Sequence, residues 1–158
     1  MEKALHISKL DAARRQLEVA VRLYFSTDDP VSIHTLAAAA YNIIRDVSSK
    51  RNASPMLLKD TVAQMLRPEM QKHFRDKLNE AENFFKHADR DHDGVVEFFP
   101  NLSEYFLVDA CDQYYRLTGE APPVFKLFRG WFIANHPDFF DFSAHGGAHL
   151  QKPAEQIV

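Results

Sequence analysis

The sequence predicts an all-α protein, a helical bundle of five to six helices, up-and-down in its central part, within one domain at residues 1–142. Three observations predict it. Every strongly periodic stretch repeats its apolar residues at spacings of three and four, and none sustains the alternation of a strand. The chain of 158 residues is 46% apolar and 26% charged, close to globular averages, and its length suits one core rather than two. Proline or a glycine stands at several of the expected boundaries, at Pro30, Pro55, Pro68, Gly119 and Pro123.

Ser8, with Asp11 three residues on, is a capping start, and Leu10, Ala13, Leu17, Val21 and Tyr24 continue a first helix to about Phe25. Asp29 before Pro30 is an N-cap with proline at the first helical position, opening a second helix to about Ser49. Its alanines at 37–40 favour helix and let another helix approach closely. Ser54 before Pro55 repeats the signal for a third helix through Leu57, Leu58, Val62, Met65 and Leu66. After Pro68, a fourth is expected from Glu69 to about His87, with Met70, Phe74, Leu78, Ala81 and Phe85 on its apolar face. Asn101 with Glu104 reads as a cap for a fifth helix that Gly119 stops near Thr118. Pro122 and Pro123 lead into a sixth, from Val124 to Asn135, and residues 143–158 are expected to form a flexible tail.

No run approaches the roughly 20 apolar residues of a membrane span, and residues 1–6 lack the basic-then-apolar order of a secretory leader. Cys111 is the single cysteine, so no internal disulfide forms and a cytoplasmic location is expected. Residues 1–75 hold 12 Lys/Arg against 8 Asp/Glu, a net +4, while residues 76–158 hold 7 against 14, a net −7. No concentrated basic face is present, so strong duplex-DNA binding is not expected. Thirteen phenylalanines exceed what a core of this size readily hides, which predicts a homodimer with Phe139, Phe140 and Phe142 at its interface.

Three constellations could carry chemistry. In residues 89–97, Asp89, Asp91 and Asp93 occupy the first, third and fifth positions of a calcium loop and Gly94 the sixth, with Glu97 ninth. The twelfth position, where a bidentate Glu belongs, is Pro100, so these four acids offer weak calcium binding at most, and no other cofactor is expected. At the end of the fourth helix, Glu80, Asn83 and His87 share a face, displaying an imidazole that can meet phosphate, act near neutral pH or cap the last carbonyls. On the second helix, His34, Tyr41 and Arg45 fall within about 20° of one line, forming either the wall of a groove floored by Ala37 and Ala38 or a polar face against another helix. There is no phosphate-cradling glycine loop, zinc-protease motif or nucleophile elbow.

With Ile33-His34-Thr35-Leu36, Ile44-Arg45-Asp46 and residues 83–91, Asn-Phe-Phe-Lys-His-Ala-Asp-Arg-Asp, the chain resembles a group of small uncharacterised bacterial proteins, which carries over no activity. The Asn-x-x-x-His spacing of Asn83 and His87 is also similar to the HEPN superfamily of bacterial RNA-processing toxins and defence proteins, whose motif is Arg-Asn-x-x-x-His. Here Glu82 stands at the arginine position, removing the cation that would meet a scissile phosphate. That resemblance implies a non-catalytic HEPN-like module binding a nucleotide, RNA or a protein partner through Asn83 and His87. Metal binding through the acidic loop is the alternative. A metal-independent ribonuclease is a third, with His87 as acid or base, Asn83 orienting it and Arg45 or Arg90 replacing the cation. On this reading Glu82→Arg is expected to strengthen RNA binding.

Overall fold

The computed structural model describes residues 3–26 and 29–139. The expected tail at residues 143–158 and the expected interface residues Phe140 and Phe142 lie outside them. Among the described residues there are six α-helices and no strand: α1 (Lys9–Ser26), α2 (Pro30–Lys50), α3 (Ala63–Met65), α4 (Pro68–Lys86), α5 (Leu102–Thr118) and α6 (Pro123–Asn135). The short α3 continues a π-helical segment, Leu57–Val62. No helix among the described residues is long and apolar enough to cross a membrane.

Side-chain pairs fix the helix directions. His34, Tyr41 and Ser48 of α2 meet Ser103, Asp109 and Gln113 of α5 in that order, so these two helices run parallel. Tyr24 near the end of α1 bonds Glu104 near the start of α5, which sets α1 against both. Asn42 meets Glu82 while His34 meets Phe85, so α4 opposes α2. Tyr114 meets Phe125 and Tyr105 meets Phe132, so α6 opposes α5. Directions therefore alternate through α1, α2, α4, α5 and α6, an up-and-down bundle.

The core lies where α1, α2 and α5 converge. Leu17, Val21, Ile44, Phe106 and Leu107 are buried there, each contributing roughly 1.5–3 kcal/mol of apolar transfer. Ala37, Ala38 and Ala40 are fully enclosed, and their small side chains let neighbouring helices come close. In contrast, α4 contributes only Leu78, Ala81 and Glu82 to the buried set and presents most of its length outward.

Most boundary signals act as their chemistry requires. Ser8 Oγ accepts from the Asp11 amide, and Asp29 accepts from the Ser32 amide beside Pro30. Gly119 ends α5 at φ 74°, a conformation that favours glycine. Two signals act differently. The Asn101 side chain makes no cap bond, and α5 is entered through tight backbone turns while Glu104 serves Tyr24 and His136 instead. The helix expected from Pro55 becomes the π-helical segment, whose Thr61 amide reaches back five residues to Met56 O. Its leading amides are held by carboxylates: Asp109 accepts from Leu57 and Leu58, and Asp60 from Met56.

Candidate functional site

Along α4, Asp76, Glu80, Asn83 and His87 recur at i, i+4, i+7 and i+11, within about 40° of one line on the outer face. The helix stops because the His87 backbone turns extended, at φ −133° and ψ 134°, while its amide still bonds Asn83 O at 3.1 Å. The His87 backbone therefore satisfies the helix end, and its side chain remains exposed with no cap bond to make. Beyond it the chain folds back, so that Asn83 and His87 share with Arg90 a cavity of about 690 Å³. Among the described residues these three side chains have no hydrogen-bond or ion-pair partner. Phe84, Val95 and Val96 supply apolar wall. The lining holds Lys77 and Arg90 with Asp76, Glu80, Asp89 and Asp91, two cations against four carboxylates and a net formal charge of −2 with neutral imidazoles. Lys77 pairs with Glu80 at 2.9 Å and Lys72, just outside the lining, with Asp76, so among the described residues Asp89 and Asp91 are the lining carboxylates without an ion-pair partner.

The three α2 candidates do not join this cavity. His34 is fully buried, its Nδ1 3.0 Å from Ser103 Oγ and its ring among Phe85, Phe98 and Phe106. Burial lowers its pKa from 6.5 to about 4, against an opposing pull from Glu82, so it is neutral at physiological pH. Tyr41, also fully buried, donates to Asp109 at 2.9 Å and accepts from the Lys59 amide at 3.1 Å. Burial, and then the Asp109 charge, pushes its hydroxyl pKa upward. Arg45 places Nε and Nη2 on Asp60 Oδ1 at 2.8 and 2.6 Å and lines a separate cavity of about 520 Å³. Ala37 and Ala38 are enclosed and His34 and Tyr41 bond α5, so the groove is corrected and these two polar residues form the other expected arrangement, a polar face against a neighbouring helix.

A buried ionic cluster carries no signal in the sequence beyond a lysine amid apolar neighbours. Lys59 Nζ lies 3.2 Å from Glu82 Oε2, and the Asn42 amide bridges the pair, accepting from Lys59 and donating to Glu82 at 2.8 Å each. The ammonium sits over the Tyr41 and Phe106 rings at 5.3 and 5.0 Å. Burial lowers the Lys59 pKa while Glu82 opposes the shift. Glu82 thus points inward at 5% exposure, away from Asn83 and His87, so a charge at this position does not reach the cavity.

In the acidic loop, among the described residues, no group of three His, Cys, Asp or Glu side chains could hold a metal ion. Asp91 folds over Gly94, where an added Cβ would collide with its carboxylate, and Asp93 pairs with His92 at 3.1 Å. Asp89 and Asp91 line the larger cavity, whereas Glu97 lines an adjoining one. Cys111 is buried in α5, and burial pushes its thiol pKa well up, which keeps it unreactive.

No family model matches the chain, and neither a curated protein nor a solved structure matches it.

Proposed function

We propose that this protein is a non-catalytic, HEPN-like helical module that binds a protein partner through the α4 cavity carrying Asn83, His87 and Arg90. The observation that carries the reading is that these three polar side chains converge on one cavity without being used to hold the fold. His34, Tyr41 and Glu82 are consumed by buried contacts, and Arg45 by its ion pair. A catalytic ribonuclease reading is not favoured, since the residue preceding Asn83 is an inward, ion-paired carboxylate and supplies no cation to a phosphate. The lining's excess of carboxylates likewise favours a cationic protein segment over RNA or a nucleotide, whose phosphates would be repelled. The single cysteine, Cys111, with no second one to form an internal disulfide, supports a cytoplasmic setting.

The test is to follow the backbone amides of Asn83, His87 and Arg90 by NMR while adding an oligolysine peptide, a short single-stranded RNA or a nucleoside triphosphate. The cationic peptide moves these resonances, His87→Ala weakens its binding, and the RNA remains uncleaved. Shifts produced by RNA or triphosphate and not by the peptide would replace this reading with the phosphate-binding one.

A further inference from the structure

Beside the α4 cavity runs a second one, of about 520 Å³, between α4 and the segment that leads into α5. Phe74, Leu78, Phe98, Phe99 and Leu102 line it, and the two cavities share Lys77, Glu80, Val95 and Val96 as a common border. At that border Val95 is 95% exposed, and Phe99 behind it is 68% exposed. Large side chains left this open on adjoining walls form an apolar surface that a partner would cover.

We infer that this double groove receives a basic amphipathic helix from a partner protein, an assignment that rests on the cation-favouring reading of the α4 cavity. The charges determine the partner's chemistry. Glu97 joins Asp76, Glu80, Asp89 and Asp91 along the combined groove, with Lys77 and Arg90 as its two cations. A helix laid beside α4 shares its rise per residue, so Lys or Arg at i and i+4 meets Asp76 and Glu80 in register, competing with Lys72 and Lys77 for them, while polar residues at i+7 and i+11 lie over Asn83 and His87, a line of about 17 Å. Its opposite edge then lays Leu or Phe side chains on Val95 and Phe99. An acidic helix would be repelled by the groove's carboxylates, Asp89, Asp91 and Glu97 among them, and a uniformly polar one would leave the exposed side chains uncovered.

The experiment measures binding to the full chain by fluorescence anisotropy, using labelled peptides of about 15 to 18 residues, enough to span that line. One is a Leu/Lys amphipathic helix, the second has the same composition in scrambled order, and the third is the Leu/Glu helix. The Leu/Lys helix binds at least about tenfold tighter than the scrambled peptide, its affinity falls with added salt, and the Leu/Glu helix does not bind. Val95→Ser with Phe99→Ser reduces binding to the scrambled level, and these exposed positions leave the core intact. Asp76→Asn with Glu80→Gln weakens binding and flattens its salt dependence. Equal binding of helix and scrambled peptide, or unchanged affinity in the Val95/Phe99 variant, overturns the amphipathic-helix assignment while leaving the cationic reading in place. Failure of both cationic peptides overturns both. A free chain that self-associates until Val95 and Phe99 are replaced makes a second copy the occupant, and the assignment fails.

Discussion

His34 couples the fold to pH because the folded chain resists its protonation. With a folded pKa of about 4 against 6.5 in the open chain, the unfolded state alone gains a proton as the pH falls between those values. Stability is therefore fully present above pH 6.5 and declines toward pH 4, by about 3 kcal/mol at most. Asp109 acts oppositely, since burial raises its pKa and favours the folded state as the pH falls. Urea unfolding of wild type and His34→Gln across this window isolates the imidazole: the glutamine variant, still able to reach Ser103, loses that component of the decline. Glu82 supplies a second prediction at the same scale. Glu82→Arg sets a guanidinium against the buried Lys59 ammonium, and breaking a buried pair costs about 3–5 kcal/mol, a large part of the ~5–15 kcal/mol typical of a domain. The sequence-based expectation of stronger RNA binding thus gives way to a collapse in the urea midpoint. Lys59→Met combined with Glu82→Leu recovers most of the loss, because neither charge is then left unpaired.

At the scale of elements, helices whose ends are set by their own residues were legible. Ser8, Asp29, Pro30, Pro68 and Gly119 act within a few residues of where they stand, so spacing alone places their helices. The segment after Pro55 was not legible, because its form is set from a distance. Asp109, about 50 residues on, holds the Leu57 and Leu58 amides at 3.1 and 3.0 Å while Tyr41 takes that of Lys59, and no local pattern encodes such partners. The same physics hid the buried role of Glu82, since the helical line that places it next to Asn83 does not reveal that Lys59 lies beneath it. The Asn83 and His87 display was legible, as both follow from position on one helix. Asp109→Asn turns one of the accepting oxygens into a donor and leaves two amides competing for the other. Hydrogen exchange is expected to lose protection at Leu57 and Leu58 first, with α1 and α2 retaining theirs, and uniform loss across the bundle would show instead that the segment opens only with the whole fold.

For the whole molecule, the excess of aromatic residues that predicts a dimer takes a defined place. Four of the phenylalanines, Phe106, Phe125, Phe128 and Phe132, fill the core, while Phe25, Phe99 and Phe139 are exposed among the described residues. Ring contacts run from Phe25 through Trp131, His136 and Tyr105 to Phe139, and Leu127, 61% exposed, lies one turn before Trp131 on α6. A face repeated on two copies can cover itself around a two-fold axis without a second complementary surface, so the α1–α6 face, distinct from the groove on α4, is where the expectation of a homodimer is tested. Sedimentation velocity is expected to find a dimer that Leu127→Lys converts to monomer, since a charge is then buried against its own copy, with the thermal midpoint of the monomer little changed because Leu127 packs outside the core. If the wild type sediments as a monomer at high concentration, or if Val95→Ser with Phe99→Ser dissociates the dimer instead, the contact does not lie on the α1–α6 face.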